Sequence, residues 1–199
     1  MYNTLIDNTT DFKLFKYIQQ LIGNEQCNHI RIATGYWDLP GMVLIFNELK
    51  SFFERGGKLD LMIGQEPMLR AYQMRTDIPK EEIFPDFYIK RDINQLTDKY
   101  QPVVQLLLDY SNADNEESSQ IKIRVFGQGE HKQFLHAKCY IFLGASFAHG
   151  VVGSSNFTEK GLQDNAELNY LETNPLVVTG ITDSGNFKSH NVWFDEMRE

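Results

Sequence analysis

The chain has 199 residues, 42% of them hydrophobic and 23% charged, and a formal net charge of −8. One domain of this length buries roughly 70% of its unfolded surface, and the acidic balance argues against a strong nonspecific binder of polyanions. The sequence contains no apolar run of the ~20 residues that a membrane-spanning helix needs, and its first residues lack a secretion-signal pattern. We therefore expect a single cytoplasmic domain over residues 1–199.

The first third of the chain predicts alternating helices and strands: a helix over 11–22, a strand over 29–37, a helix over 41–54 and a strand over 58–64. Capping residues precede the first helix, Gly23 ends it, and Phe12 is expected to face inward. Gly56 and Gly57 stop the second helix. A strand, a helix and a strand in this order predict a right-handed crossover and a parallel strand pair.

The middle of the chain is less regular. Prolines divide residues 65–88 into short pieces, a helix is predicted over 89–110 with an interruption near Pro102, and residues 111–120 form an acidic loop. Residues 121–126 alternate as a strand with Lys122 and Arg124 on one face. Near the end, 176–178 is predicted as a short strand, and Ser189 is expected to cap a last helix.

Polar side chains with two-residue spacing stand out in the segment 136–167. His136 and Lys138 would share one face of a strand with Tyr140, while Leu135, Cys139 and their neighbours face the other way. After a hairpin of small residues, Ser154 and Asn156 repeat the spacing in a short run over 151–156. Glu167 begins a third segment. Left unpaired, each such group would cost about 1–3 kcal/mol to bury, so this clustering indicates a functional site.

These residues can carry out phosphoryl chemistry. Neutral imidazole is abundant at pH 7, so His136 can attack phosphorus and form a covalent phosphohistidine. Lys138, Ser154 and Asn156 offer an ammonium, a hydroxyl and an amide to the non-bridging oxygens. Glu167 can hydrogen-bond the other ring nitrogen of His136 and hold its tautomer.

The order His-x-Lys, Gly-Ser-x-Asn and Asn-x-Glu resembles the signature of the phospholipase D superfamily, and the run Gly153–Leu162 is similar to its nuclease-type members. The family's Asp five residues after the Lys is replaced by Leu143, and the intervening hairpin is about three residues longer. The resemblance implies an α/β fold, with a mixed sheet flanked by helices on both faces. It also implies the residue roles given above and a reaction without metal or cofactor.

The histidines bear on the oligomeric state. The family reaction needs two His-Lys motifs, but of the five histidines in this chain His136 alone is followed by Lys two residues later. His29 precedes Arg31 with this spacing, yet no Gly-Ser-x-Asn follows it. If the chain is active, two copies should therefore form a homodimer that brings both His136 side chains into one cleft.

The spacing of the cysteines and histidines does not predict a metal site. Cys27 and Cys139 lie far apart and are predicted to be free thiols in a reducing compartment. No C-x-x-C or H-x-x-x-H spacing occurs, so no structural zinc site is predicted.

Two functional hypotheses remain open. The first is a metal-independent phosphodiesterase acting on nucleic acid, most simply a DNA endonuclease. A basic patch would line its cleft, formed by Lys122, Arg124, His131, Lys132, His136 and Lys138. The second is an inactive DNA- or partner-binding module of the same fold. A lipid phosphodiesterase lacks support, because no interfacial amphipathic helix is evident. The Trp193–Glu196 helix resembles modules fused ahead of helicases, so we expect a domain excised from a longer, helicase-linked protein.

Overall fold

The computed structural model describes residues 4–9, 11–64, 99–111, 118–126, 135–180 and 187–198. The described strands are β1 (Thr4–Ile6), β2 (His29–Thr34), β3 (Lys58–Ile63), β4 (Ile121–Val125), β5 (Cys139–Gly144), β6 (Phe147–Gly153) and β7 (Asn169–Glu172). The described helices are α1 (Leu14–Gly23), α2 (Leu39–Val43), α3 (Phe46–Glu54), α4 (Gln101–Tyr110), α5 (Glu159–Gln163), α6 (Pro175–Thr179) and α7 (His190–Arg198).

The strands form one mixed sheet in the order β1-β7-β6-β5-β2-β3-β4. The pairs β2–β3 and β3–β4 are parallel, which confirms the predicted crossover, and the other pairs are antiparallel. Lys122 and Arg124 share a face of β4, as the alternation predicts, because they pair with Asp60 and Met62 of β3. The α/β prediction of a mixed sheet is confirmed.

Each face of the sheet carries its own core. The larger core joins Ile30, Tyr140 and Val151 of the strands to α1 and α3, whereas the smaller core joins Ala33 and Ile141 to α6 and α7. Helices therefore cover both faces, as expected. Within the sheet the alternation near the motif holds: Tyr140 and Phe142 face the larger core, and Cys139 and Ile141 face the smaller one.

Three predicted elements are wrong in detail. The helix expected over 41–54 is two helices, with the break at Leu44 and Ile45. The Asp38 carboxylate caps α2 and also accepts from Glu159 N, which ties α2 to α5. The strand expected over 176–178 is helix α6, since Asn174 caps its first turn and Pro175 is favoured at the first helical position. Phe12 is 43% exposed and precedes α1, which begins at Leu14.

Strand boundaries around the motif also differ from the prediction. Strand β5 begins at Cys139, so His136 and Lys138 lie just before it in a segment without regular structure. The hairpin after β5 is a tight turn, and β6 begins at Phe147, four residues earlier than the predicted run over 151–156. Strand β1 was not predicted; three residues give too little pattern to distinguish a strand from a loop.

Several predictions concern residues outside the described ranges. The pieces over 65–88, the first part of the helix over 89–110, most of the loop 111–120, and His131 and Lys132 lie there. The described part of the helix is α4, and Pro102 lies in its first turn rather than interrupting it.

Helix α7 is joined to the sheet by buried charges. Ser189 caps it, as predicted, by accepting from Val192 N at 3.3 Å. Arg31 of β2 is 5% exposed, donates to Asn191 at 2.7 Å and to Asp195, and stacks on Phe194. This guanidinium also contacts Asp60 of β3 at 3.4 Å.

No described helix is long and apolar enough to cross a membrane. Both cysteines are buried free thiols, as predicted, and burial raises the pKa of Cys27 to about 11 and that of Cys139 to about 12. Cys139 faces the smaller core, on the side of the sheet opposite to Lys138 and Tyr140.

Candidate active site

The predicted site residues meet at one edge of the sheet. Strands β2, β3 and β6 end there, while β5 and β7 begin there, because β5 and β7 run antiparallel to their neighbours. Gly153 N donates to Lys138 O at 3.3 Å, and Ser154 N donates to Leu168 O at 3.1 Å. These backbone bonds bring the three motif segments side by side.

His136 and Lys138 differ in exposure although they are two residues apart. His136 is exposed, while Lys138 is only 6% exposed and its Nζ donates to His136 O at 2.8 Å. Desolvation lowers the pKa of Lys138 below its ordinary value, and the negative charge of Glu167 works in the opposite direction. A partly desolvated ammonium beside an accessible imidazole is suited to binding an anion next to a nucleophile.

Ser154 and Glu167 form a second pair at this edge. Ser154 Oγ donates to Glu167 Oε2 and accepts from Leu168 N at 2.9 Å. The other carboxylate oxygen accepts from Asn165 Nδ2 at 3.3 Å. The described bonds of Glu167 thus connect it to Ser154 and Asn165, and the role of holding the His136 tautomer stays a prediction.

Asn156 is anchored through its amide oxygen. Asn156 Oδ1 accepts from Tyr36 N at 3.1 Å and lies 3.5 Å from Thr34 Oγ1. A backbone N–H can donate but cannot accept, so the atom that faces Tyr36 must be the oxygen. This leaves Asn156 Nδ2 as the donor that the side chain can offer to a bound anion.

Two glycines let the His136 segment approach the strand ends. A Cβ at Gly64 would lie 2.3 Å from Leu135 O, closer than carbon and oxygen can approach. A Cβ at Gly35 would lie 3.4 Å from the same oxygen, 3.2 Å from Asn156 Oδ1 and 3.8 Å from His136 Cα. The absence of a side chain at Gly64 therefore lets the His136 segment reach the strand ends, and Gly35 lies next to both His136 and Asn156.

Buried polar residues beneath the site were not predicted as site residues. Ser155 is fully buried; its N–H donates to Asn169 Oδ1 at 3.2 Å, and its hydroxyl accepts from Asn169 Nδ2 at 2.8 Å. Tyr140 donates to Ser155 O at 2.8 Å, and burial, followed by the charge of Glu167, raises its pKa well above the ordinary value. In the sequence, the two-residue spacing of Tyr140 from Lys138 and of Asn169 from Glu167 could have indicated that they belong to the site.

Other residues of interest lie away from this edge. Leu143, at the position of the family Asp, pairs with His29 and packs in the smaller core, five residues or about 16 Å along the strand from Lys138. Lys122 and Arg124 lie on β4, three strands from β5, so the described part of the predicted basic patch is not contiguous. Among the described residues, no three His, Cys, Asp or Glu side chains form a group that could hold a metal ion.

Comparison with known proteins identifies a family for this chain. The family described as cardiolipin synthase, PLD-like domain, matches residues 18–186. No match was found among curated proteins.

Two of the similar solved structures share the fold at low sequence identity, each with a TM-score of 0.50. NucT from Helicobacter pylori is 13% identical with a TM-score of 0.50, over 99% of this chain and 95% of that one. The polyphosphate kinase from Porphyromonas gingivalis is 11% identical with a TM-score of 0.50, and the match covers 94% of this chain but 27% of the kinase. Nuc from Salmonella typhimurium, a phospholipase D family member, is 14% identical with a TM-score of 0.47, over 87% of this chain and 83% of that one. Since the family match covers most of the sequence and the motif residues converge at one edge of the sheet, the chain belongs to the phospholipase D superfamily.

Proposed function

We propose that this protein is a metal-independent phosphodiesterase that cleaves nucleic acid, most simply a DNA endonuclease, through a phosphohistidine at His136. The observation that carries the proposal is the convergence of Lys138, Ser154, Asn156 and Glu167 on the sheet edge where His136 is exposed. The name of the NucT structure, which shares the fold, is consistent with a nuclease.

The first chemical step would be in-line attack of a neutral His136 nitrogen on phosphorus. The P–O bond to the leaving group breaks as the P–N bond forms, and the leaving oxygen takes a proton from a general acid. The Lys138 ammonium would neutralise charge on the non-bridging oxygens, and Asn156 Nδ2 would donate a hydrogen bond to one of them. Water then attacks phosphorus, and the P–N bond to the imidazole breaks. The general acid, which has given its proton to the departing alcohol, now acts as a base and takes a proton from that water.

Ser154 and Glu167 contribute a linked pair. Because Ser154 Oγ donates to Glu167, a phosphate oxygen arriving at this hydroxyl would compete with the carboxylate for one proton. We infer that Ser154 turns from Glu167 to phosphate on substrate binding. The released carboxylate would then be available to the His136 ring, as the sequence motif predicts.

We propose that the general acid is His136 of a second copy of the chain. Each copy carries one His-Lys pair, and an exposed apolar face borders Ser154. It consists of Leu5, Val152, Leu168 and Tyr170, which are 58%, 42%, 59% and 41% exposed. Within the sheet, Tyr170 pairs with Leu5 on one side and with Val152 on the other. We call this the β1–β7–β6 face. Its burial against the same face of a second copy would place two His136 side chains in one cleft.

Cleavage of labelled single- and double-stranded DNA and of RNA in excess EDTA tests the proposal. We expect the parent to cut and His136→Ala to lose at least about 1,000-fold in rate. The His149→Asn variant is the matched control, since its imidazole lies near the opposite end of β6. Acid quenching and intact-mass measurement should detect a phosphoryl adduct in the parent and none in His136→Ala.

The outcomes separate the two functional hypotheses. Cutting by His136→Ala at the parent rate contradicts the phosphohistidine mechanism. No cutting by a folded parent that still binds DNA would favour the inactive binding module instead. The position of Leu143 in the smaller core, away from the site, favours the active enzyme.

A further inference from the structure

Thr34, the last residue of β2, is a buried hydroxyl at the edge of the site that the sequence motif does not include. It is 0% exposed. Its Oγ1 accepts from Phe157 N at 2.9 Å and donates to Tyr36 O at 2.7 Å. The first bond connects the end of β2 to the residue that follows Asn156, and the second connects it to Tyr36, whose N–H contacts the Asn156 amide.

These contacts close a ring of hydrogen bonds around Asn156. Thr34 Oγ1 donates to the carbonyl oxygen of Tyr36, and Tyr36 N donates to Asn156 Oδ1 at 3.1 Å. Phe157 N, directly after Asn156, donates to Thr34 Oγ1 and completes the ring. The parallel bridge between Trp37 and Phe157 extends the attachment by one more residue. Asn156 is therefore fixed both at its backbone and at its amide oxygen.

We propose that Thr34 is a positioning residue that sets the orientation of the Asn156 amide, with Oδ1 toward β2 and Nδ2 toward the phosphate of the substrate. The proposal rests on the phosphodiesterase function proposed above. A rotated amide would put Nδ2 against Tyr36 N–H, two donors facing each other, and would offer an oxygen to an anionic phosphate. The amide can donate to phosphate in only one of its two orientations. Tyr36 N–H selects that orientation, and Thr34 holds the Tyr36 backbone in place.

Kinetics of DNA cleavage with Thr34→Val, Thr34→Ser and Asn156→Ala test this role. We expect Thr34→Val to lower kcat about 10- to 100-fold with KM nearly unchanged, because the amide is no longer held in place. Thr34→Ser keeps the hydroxyl and should retain kcat close to that of the parent. In the Asn156→Ala background, Thr34→Val should cause little further loss, since the two changes act through one side chain.

A purely structural hydroxyl gives different results. It would lower the unfolding midpoint of Thr34→Val while the folded protein keeps its kcat, and that result overturns the proposal. A full multiplicative loss in the Asn156→Ala background overturns it as well. If Thr34→Val does not fold, Thr34→Cys decides, because its thiol fills similar space but hydrogen-bonds weakly. Parent kcat in a folded Thr34→Cys would count against the proposal.

A binding measurement separates failure of this inference from failure of the proposed function. Titration with inorganic phosphate should shift the side-chain amide NMR signals of Asn156, which are assigned by their loss in Asn156→Ala. The shift should be reduced in Thr34→Val and kept in Thr34→Ser. This pattern in a parent that cleaves nothing would support Thr34 while the phosphodiesterase proposal fails. An equal shift in Thr34→Val, or none in the parent, would overturn the role of Thr34.

Discussion

At the scale of single residues, the charge of Lys138 depends on two opposing surroundings. Desolvation lowers the pKa of its ammonium, and the Glu167 carboxylate raises it. Glu167 is itself shared with Ser154 and Asn165, so one carboxylate supports the cation and holds the hydroxyl. A bound phosphate would add negative charge and stabilise the protonated lysine further.

Replacement of Glu167 by Gln should shift the alkaline limit of activity to lower pH. Removal of the negative charge leaves desolvation unopposed, so the pKa of Lys138 falls and the ammonium is lost at a lower pH than in the parent. The measurement is the pH dependence of kcat/KM for DNA cleavage. Glu159→Gln, the same charge change in the first turn of α5, is the control and should leave the profile in place. An unshifted profile in Glu167→Gln would separate Glu167 from the ionisation of Lys138.

At the scale of elements, glycines allow the segment before β5 to meet the ends of β2 and β3. The Leu135 carbonyl lies against Gly35 and Gly64, and His136 follows directly. The position of His136, the proposed nucleophile, thus depends on contacts with residues that come far earlier in the chain. At Gly64 the approach is so close that glycine alone fits without rearrangement.

Gly64→Ala should displace the Leu135–His136 segment and lower kcat about 100-fold, as misplacement by about 1 Å can do. The added Cβ would lie 2.3 Å from Leu135 O, so the backbone has to move. Gly23→Ala is the matched control, because nothing lies within 4 Å of its added Cβ. Equal kcat for the two variants would mean that the segment adjusts without moving His136.

The C-terminal helix α7 depends on a charge cluster around Asp60. Asp60 contacts His29 at 3.0 Å, Arg31 at 3.4 Å and Arg198 at 3.5 Å. Burial alone would raise the pKa of this carboxyl, but the hydrogen bond and charge of His29, with the charges of Arg198 and Arg31, hold it below its ordinary value. The ionised form is therefore the one that stabilises the fold.

Asp60→Asn should lower the free energy of unfolding by about 3 kcal/mol at pH 7, since it leaves Arg31 buried without its carboxylate partner on the sheet. Asp195→Asn, the half-exposed partner of Arg31, should cost about 1 kcal/mol or less. Urea unfolding measures both.

The dependence of the unfolding free energy on acidic pH gives a second test of Asp60. Because its folded-state pKa is depressed, its contribution is complete above the unfolded pKa of ~3.9 and is lost as pH falls through the lower folded value. The gap in stability between the parent and Asp60→Asn should narrow in that range. A gap that stays constant down to pH 2 would contradict this account.

At the scale of the whole molecule, the edge that carries the site continues into exposed apolar surface. Leu5, Val152, Leu168 and Tyr170 lie on the β1–β7–β6 face, next to Ser154 and Glu167. A contiguous exposed apolar face of this kind typically marks an interaction site. Since the proposed reaction needs a second histidine as general acid, we expect assembly and activity to depend on the same face.

Tyr170→Glu should therefore convert a dimer to a monomer and remove cleavage while His136 stays in place. Two carboxylates would meet near the twofold axis in a desolvated contact, which is strongly unfavourable. Leu108→Glu is the control, because Leu108 is 62% exposed on α4 and lies off this face. Solution mass and DNA cleavage should both decrease in Tyr170→Glu, and neither should change in Leu108→Glu. An active monomer of the parent would contradict the shared cleft.

Residues close in sequence account for most of what could be predicted. The alternation around Lys138 and Tyr140, the parallel β2–β3 pair and the superfamily follow from local periodicity and short motifs, and the structure and family match confirm them. Each of these signals is carried by neighbouring side chains or by one crossover, which local patterns record.

Tertiary contacts decided the rest. The ring of hydrogen bonds through Thr34, Tyr36 and Phe157 joins residues more than 100 positions apart, and no local pattern reports it. The helix at 175–179 replaced a predicted strand because Asn174 and Pro175 begin a helix whose Val178 packs in the smaller core. Sequence alone thus determined the class of the fold and indicated the candidate site residues, because these depend on residue types and spacing. The partners that orient Asn156 and Lys138 were decided by the meeting of distant strand ends, since burial and hydrogen-bond geometry exist only in the folded chain.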